Sequence, residues 1–434
     1  MNLSNWKIPT KNLGEHFINK PVVTRFPPEP SGYLHLGHVK ALCINYVLAK
    51  KFEGKVLLRY DDTNPNNETQ EYEDAIFQDT QNLGFVFDNI SHTSDHFDTI
   101  LSFATKLVDN NNAYVDLSSV EEIQESRKKG VETQYRNVSA EINKERWNLM
   151  IDGKLEGILR IKLDIINKNN TLRDPTIFRF FGTQESHYRT GTKYFVYPSY
   201  DFSCPIVDHL EGITHVLRST EFADRDVQYN AILDKLELTK PMLFSYGRVN
   251  IKDALMSKRK IKEGIANKIL EGWDDVRLYT IRGLLRKGLK IEALFEYIAT
   301  LGFSKNTVDM NPNKLWSINR RYIDKLATRV NGLEGNIDNF KEIHVVELNS
   351  HIKTIPKYHK NLALGDREFI ITENIYITND DYNKIISNTD VYNFFGLSLL
   401  NPQCFAYDNS DTTFTYVETA LHSKTKRYVW LPTN

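Results

Sequence analysis

The sequence predicts a multidomain protein that is organised around a parallel α/β sheet. Its 434 residues, 41% of them hydrophobic, are enough for about two to four globular domains. A strand, a helix and a strand follow one another between residues 22 and 60, and β-branched and aromatic residues are frequent in the last hundred or so. These observations predict an α/β region that is followed by a β-rich end.

The first strands and helix are predicted near the N-terminus. Residues 22–26 (VVTRF) predict a buried strand, which must end at the PPEPSG segment because prolines lack the amide donors that a ladder needs. The apolar spacing from Gly37 onward predicts a helix, and residues 55–60 (KVLLRY) predict a second strand. A crossover of this length implies that the two strands are parallel.

The parallel sheet is predicted to be interrupted and then to resume. Residues 68–83 predict a second helix, and residues 94–197 mix helix and strand patterns. Residues 212–219 and 242–246 predict strands, with a helix over residues 220–236 between them. The predicted domains are an α/β domain in two halves (20–95 and 199–260), an insertion (96–198), a helical domain (261–330) and a β-rich domain (331–434).

Composition and cysteine use exclude several classes of protein. Lys and Arg number 55 against 56 Asp and Glu, so the net charge of -1 does not indicate a nucleic-acid partner. Cys43, Cys204 and Cys404 are too far apart in sequence to indicate a zinc knuckle or a redox pair, and they are too few for a disulfide framework. The first residues lack a signal peptide, and no apolar run approaches the roughly 18 residues of a membrane span. We therefore expect a cytoplasmic protein that binds no zinc and does not associate with a membrane.

The most informative motif contains two histidines, His35 and His38, where the loop after the first strand becomes a helix. Amides at a helix N-terminus attract anions, Gly37 permits close approach, and two imidazoles can donate to oxygens that gain charge during attack at phosphorus. Ligands of open α/β sheets bind at this edge. The pattern predicts a phosphate-handling site, although the HLGH tetrapeptide alone could arise by chance.

A second motif, LMSKRK, follows the last predicted strand of the sheet. It predicts a basic loop in which Lys258 reaches the same phosphates as a point charge. Without the first motif, a solvated basic turn would be the preferred interpretation.

The two motifs, separated by an insertion, resemble the two signatures of the class I aminoacyl-tRNA synthetases. The resemblance extends to a series of ordered segments that are typical of the glutamyl/glutaminyl group in its eukaryotic and archaeal branch. These segments are TRFPPEPSGYLHLGH, LRYDDTNP, LRDPT, YPSYDFSCPIVDHLEGITHVLRSTEF, MSKRK and GWDDVR. One departure is Leu255, where the family usually has a lysine. The resemblance covers residues 21 to about 361 and implies a Rossmann-like catalytic domain.

The resemblance implies ATP-dependent formation of an aminoacyl adenylate, followed by transfer to the 3' end of tRNA. Its catalytic residues would be His35, His38 and Lys258, which stabilise the α-phosphate, and Mg²⁺ would accompany ATP. The ATP-binding positions that the resemblance implies are Pro28, His35, Gly37, His38, Met256, Ser257 and Lys258.

The resemblance also implies an amino-acid pocket of Arg25, Asp62, Tyr200 and Arg218. The two enzymes differ at the residue four positions after Thr214. Segments of glutaminyl enzymes resemble THSLCT, with cysteine at this position, whereas those of glutamyl enzymes resemble THALRT, with arginine. This chain has THVLRSTEF and therefore Arg218. A guanidinium binds a carboxylate through paired hydrogen bonds, so the resemblance favours L-glutamate. Alternatively, Asp61 or Asp62 could cap the loop, and Arg218 could pair with Glu221 at the surface.

The expected macromolecular partner is tRNA(Glu), and we expect the protein to be a monomer. By the resemblance, the insertion binds the acceptor end. Its basic residues that could contact phosphates are Arg136, Lys162, Arg173, Arg179, Arg189 and Lys193. The branch usually carries two C-terminal β-barrels for the anticodon, and the hundred or so residues after Arg329 are too few for both. We therefore expect a shortened, barrel-like anticodon-binding domain.

Three other functions were considered. The first is glutaminyl-tRNA synthesis, against which Arg218 argues. The second is activation of glutamate for a different acceptor, which the short C-terminal region suggests. The third is a non-catalytic tRNA-binding protein, against which the intact His35, His38 and Lys258 argue.

Overall fold

The structure, a computed structural model, divides into two compact units, one up to Arg320 and one from Arg321. In the first unit it describes residues 21–182, 186–250 and 257–320. In the second it describes residues 321–327, 340–346, 351–357, 361–371, 374–386, 391–394, 397–400, 413–417, 426–427 and 431–432.

The first unit begins with the predicted crossover. Its elements are β1 (Val23–Phe26), α1 (Leu36–Lys51), β2 (Lys55–Tyr60), α2 (Gln70–Asn82) and β3 (Asn89–His92). Strand β2 pairs in parallel with both β1 and β3, which confirms the predicted parallel sheet. Helix α2 begins after Thr69, whose side chain accepts a hydrogen bond from the amide of Tyr72, and Glu71 and Glu73 favour its first turn.

Two further parallel strands continue the sheet beyond β1. They are β8 (His215–Ser219), next to β1, and β9 (Met242–Tyr246), which pairs in parallel with β8; α7 (Asp226–Leu236) lies between them in sequence. The amide of Thr214, just before β8, donates to the carbonyl of Val23 at 3.0 Å, and the Thr214 hydroxyl accepts from the Val23 amide at 2.8 Å. These bonds join the first and second sheet segments, as the prediction of a resumed sheet requires. Residues 220–225 form a 3-10 turn instead of the predicted first turn of α7.

An antiparallel sheet lies between the two halves in sequence. Its strands, in spatial order, are β4 (Ala113–Asp116), β5 (Ile158–Ile161), β6 (Thr176–Phe180) and β7 (Val196–Pro198). The accompanying helices are α3 (Phe97–Asp109), α4 (Val120–Lys129), α5 (Ala140–Ile151) and α6 (Tyr200–Leu210). One hydrophobic core contains Trp147 of α5, Phe202 of α6 and Ile232 of α7. Because this core is shared, the antiparallel sheet packs directly on helices next to the parallel strands.

Helices dominate the end of the first unit, as predicted. They are α8 (Lys258–Ala266), α9 (Ile281–Arg286), α10 (Ile291–Leu301) and α11 (Pro312–Asp324), the last of which continues into the second unit. A short parallel pair, β10 (Val249–Asn250) and β11 (Val308–Asp309), accompanies them. Within the described ranges, no helix has both the length and the apolar character needed to cross a membrane.

The described residues of the second unit are mainly β-strands, which confirms the β-rich prediction. They are β12 (Phe340–Val346), β13 (His351–Pro356), β14 (Asp366–Ile371), β15 (Asn374–Thr378), β16 (Val391–Phe394), β17 (Leu397–Leu400), β18 (Thr413–Val417), β19 (Lys426–Arg427) and β20 (Leu431–Pro432), with α12 (Asn379–Ile386). Strands β13 and β14 form an antiparallel pair, and the others join one sheet. Residues 428–430 (YVW), which belong to the β-branched and aromatic pattern of the sequence, lie outside the described residues.

Candidate active site

A cavity of about 880 Å³ opens at the ends of the parallel strands. Residues at or after the ends of β1, β2, β8 and β9 line it, together with the first turns of α1. The two predicted halves of the sheet thus contribute to one site, where ligands of open α/β sheets bind.

The two histidines lie at the start of α1 and are oriented by the backbone. The Nδ1 atom of His35 accepts a hydrogen bond from the amide of Gly37 at 3.1 Å, and Nδ1 of His38 accepts from the amide of His35 at 3.2 Å. The rings stack with centroids 3.8 Å apart. A neutral imidazole whose Nδ1 accepts must carry its proton on Nε2. Both side chains therefore present an N–H donor away from the backbone.

Burial and nearby cations keep these imidazoles neutral. Burial, Lys258 and Arg248 lower the pKa of His35 to about 4, and burial, His35 and Lys258 hold the pKa of His38 well below its ordinary value. Gly37 is required by the same packing, because a Cβ atom there would lie 2.9 Å from Cε1 of the His35 ring. The site is thus a pair of neutral donors at a helix N-terminus.

Lys258 lies against the loop that follows β1, although it is 227 residues away in sequence. Its Nζ atom donates to the hydroxyl of Ser31 at 2.5 Å and lies 3.6 Å from the Glu29 carboxylate. Pro28 and Glu29 of this loop line the cavity, and Lys258 influences the pKa of both histidines. The structure therefore brings together the two motifs that the sequence singled out.

The second motif differs from the predicted basic loop. Lys258 is the first residue of α8, because Ser257 caps this helix by accepting a hydrogen bond from the amide of Lys260. Met256 and Leu255 lie outside the described residues.

Arg25 lines the cavity but is almost completely buried, at 1% exposure. Its Nε and Nη2 atoms donate to the two carboxylate oxygens of Asp208 at 2.9 and 3.2 Å. This bidentate pair fixes the guanidinium at the end of β1. Asp208, on α6, was not predicted as a site residue from the sequence. The only signal for a buried ion pair would have been its position on the buried face of a helix.

Asp208 is the centre of a larger buried network. It also accepts hydrogen bonds from Arg59 of β2 and, at 2.7 Å, from the hydroxyl of Tyr229 on α7. Burial opposes ionisation of this carboxyl, but Arg25 and Arg59 outweigh that effect and hold the pKa of Asp208 well below its ordinary value. A charged carboxylate therefore joins β1, β2, α6 and α7 behind the cavity.

Of the two neighbouring carboxylates Asp61 and Asp62, Asp61 lines the cavity, whereas Asp62, which was predicted to face the amino acid, does not. The carboxylate of Asp62 points away from it and accepts a hydrogen bond from the amide of Ser94 at 2.8 Å. Burial, Asp62 and Glu29 raise the pKa of Asp61 to about 7.

Tyr200 and Arg218 both line the cavity, at the start of α6 and in β8 respectively. The partner of Arg218 is Asp226, not the Glu221 that was considered from the sequence; Nη2 of Arg218 lies 2.6 Å from the Asp226 carboxylate. With only 6% of its surface exposed, Arg218 belongs to the cavity wall and not to the outer surface.

Several of the six basic residues proposed to contact phosphates form ion pairs within the protein. Arg136 pairs with Asp174 and Lys193 with Asp98. Arg189 pairs with Asp95 at 2.9 Å. Arg179 alone of the six lines the cavity, and its Nε atom is buried without a hydrogen-bond partner among the described residues. It is therefore the basic residue of the antiparallel sheet that is best placed to contact a ligand.

Comparisons with known proteins show the family to which the chain belongs. Residues 21–325 match the family of tRNA synthetases class I (E and Q), catalytic domain. A probable cytoplasmic glutamate–tRNA ligase of Encephalitozoon cuniculi is 39% identical over 391 residues, which are 88% of this chain and 59% of that protein. A cytoplasmic glutamate–tRNA ligase of Arabidopsis thaliana is 38% identical, over 88% of this chain and 53% of that protein.

Fused and bacterial proteins are also similar. A bifunctional glutamate/proline–tRNA ligase of mouse is 36% identical over 94% of this chain and 27% of that protein. The crystal structure of the glutamate–tRNA synthetase of Elizabethkingia anophelis superposes with a TM-score of 0.52 at 21% identity, covering 71% of this chain and 72% of that one. The chain thus spans about a fifth to three fifths of the length of the curated relatives it matches. It belongs to the class I tRNA synthetases of the glutamate and glutamine group.

Proposed function

We propose that this chain ligates L-glutamate to the 3' end of tRNA(Glu), through a glutamyl adenylate formed from ATP. The observation that carries the proposal is the buried Arg218 in the same cavity as the paired histidines. The cavity thus combines donors for a phosphate with a cation for a carboxylate. Relatives named glutamate–tRNA ligases support the same activity.

In the first step, the α-carboxylate of glutamate attacks the α-phosphorus of ATP. A P–O bond to the carboxylate forms as the bond to the β-phosphate oxygen breaks, and pyrophosphate leaves. The Nε2–H groups of His35 and His38 donate to phosphate oxygens that gain charge, and Lys258 adds a positive charge. Pro28, Gly37 and Ser257, with Met256, complete the proposed ATP contacts. Mg²⁺ would be coordinated mainly by the phosphates of ATP, so the chain need not supply a full set of metal ligands.

The amino acid is held by charges of opposite sign at its two ends. Asp61 faces its ammonium in place of Asp62, because Asp61 lines the cavity and Asp62 does not. Arg218 faces the side-chain carboxylate, and Arg25 and Tyr200 complete the pocket. Glutamine presents an amide, which gains less from a guanidinium than a carboxylate does. We therefore assign glutamate, and not glutamine, as the substrate.

In the second step, a ribose hydroxyl at the 3' end of tRNA attacks the activated carbonyl, and AMP leaves. We propose that residues 96–198 hold the acceptor end and that Arg179 contacts it at the cavity. We further propose that residues 331–434 contact the anticodon region as a barrel-like domain, with residues 261–330 contacting the stem. The proposed catalytic domain comprises residues 20–95 and 199–260. We further propose that the protein is a monomer and that it is located in the cytoplasm.

The experiment is charging of purified tRNA isoacceptors with labelled glutamate, in parallel with glutamate-dependent exchange of pyrophosphate into ATP. We expect glutamate to be activated and transferred to tRNA(Glu). Activation without transfer to any tRNA would instead support glutamate activation for a different acceptor. If the chain binds tRNA but neither activates nor transfers glutamate, the result would support the non-catalytic alternative.

A further inference from the structure

The guanidinium of Arg218 is held by one carboxylate from outside the cavity. Its Nε and Nη2 atoms both donate to Oδ1 of Asp226, at 3.1 and 2.6 Å. Arg218 lines the cavity, whereas Asp226 is not among the lining residues, and its side chain is 32% exposed. The ion pair therefore bridges the cavity wall and the surface behind it.

This contact uses one edge of the guanidinium and leaves the other edge available. The five donors of an arginine lie in one plane, so fixing Nε and Nη2 also fixes the direction of Nη1. Two rings restrict the plane itself: Arg218 lies 5.1 Å from the centroid of Tyr229 and 5.8 Å from that of Phe222. Because Phe222 lines the cavity, the guanidinium is held beside the space a ligand would occupy.

Asp226 is itself held in place by its position in the chain. It is the first residue of α7, directly after the 3-10 turn of residues 220–225. A carboxylate is favoured at a helix N-terminus because it faces the positive end of the helix dipole. The helix packs through Ile232 and Leu233 into the hydrophobic cores, so the carboxylate projects from a rigid element.

We propose that Asp226 is a positioning residue for amino-acid specificity. It orients Arg218 so that Nη1 meets the side-chain carboxylate of glutamate, without touching the substrate itself. This inference rests on the proposed function. It predicts that loss of the Asp226 carboxylate weakens glutamate binding more than it slows the chemical step, and that it lowers the preference for glutamate over glutamine.

The test compares Asp226→Ala, Asp226→Ser and Asp226→Asn with the unaltered chain. Serine keeps a favourable group at the helix start, so it serves if the alanine variant folds poorly. Asparagine keeps an oxygen that can accept from Nε and Nη2. Asp234→Ala is the matched control, because Asp234 lies on the same helix and pairs with Lys240 at a side-chain exposure of 63%. The measurement is KM and kcat for glutamate and glutamine in pyrophosphate exchange with tRNA(Glu) present.

We expect KM for glutamate to rise about tenfold in the alanine and serine variants, since hydrogen bonds to charged groups contribute on this order. The glutamate-to-glutamine ratio of kcat/KM should fall by a similar factor, kcat should change little, and asparagine should largely restore binding. An unchanged KM for glutamate in Asp226→Ala and Asp226→Ser would overturn the inference. A lower KM would also overturn it, because Asp226 would then compete with the substrate for Arg218. If the unaltered chain does not activate glutamate, the proposed function fails instead.

Discussion

Removing the Asp208 carboxylate should strongly destabilise the first unit. Asp208 has no exposed side-chain surface, and the side chains of its partners Arg25 and Arg59 are exposed by only 1% and 2%. In Asp208→Asn, Arg59 keeps the Glu211 carboxylate at 3.1 Å, whereas Arg25 loses its carboxylate partner. Breaking a buried ion pair from one side typically costs about 3–5 kcal/mol. This is a large part of the roughly 5–15 kcal/mol by which domains are stable.

The assay is urea unfolding followed by circular dichroism, with Asp152→Asn as a control. Asp152 pairs with Lys154 at 3.0 Å, but the two side chains are 54% and 65% exposed. An exposed pair of this kind contributes about 0–1 kcal/mol. The reasoning would be refuted if Asp208→Asn reduced the free energy of unfolding no more than the control does.

Three further predictions concern the cavity. As pH rises from about 6 to about 8, KM for glutamate should fall. The reason is that Asp61, whose pKa is raised to about 7, must ionise to bind the ammonium group of the substrate. In Asp61→Asn, this fall in KM should disappear. Lys258→Ala should lower kcat for glutamate activation about a hundredfold or more, as loss of a charge-stabilising donor does, while the exposed Lys260→Ala should not. Because His35 binds its proton with a pKa of about 4 in the fold and about 6.5 in the unfolded chain, stability should fall as pH drops across that interval. In urea titrations, His35→Asn should reduce this fall; an equal fall in both proteins would contradict the assignment.

Much of the α/β region could be predicted because its signals are local. The run KVLLRY gives β2 over Lys55–Tyr60, and residues 242–246 give β9 at the predicted bounds. The HLGH motif places His35 at a helix start, since a short linear motif fixes both the cap and the first turn. Motifs separated by more than two hundred residues were brought together because the parallel strands place their ends at one edge.

Other features depend on contacts that a linear pattern does not contain. The choice between Asp61 and Asp62 depends on the hydrogen bond that holds the Asp62 carboxylate on the amide of Ser94, a contact that the sequence around them does not reveal. The pairing of Arg218 with Asp226 depends on the 3-10 turn that replaces the predicted helix start. The network around Asp208 joins elements about 150 to 180 residues apart, and its partners are fixed only by tertiary packing.

The most direct test of the central claim is charging of tRNA(Glu) with labelled glutamate and, separately, glutamine, by the unaltered chain and by Arg218→Cys. Lys50→Cys serves as the control, since Lys50 pairs with Asp88 at the far end of α1 and is not a cavity residue. We predict that the unaltered chain and the control charge glutamate, and that Arg218→Cys loses this activity while any glutamine charging persists. Equal glutamate charging by Arg218→Cys, or preferential glutamine charging by the unaltered chain, would contradict the account.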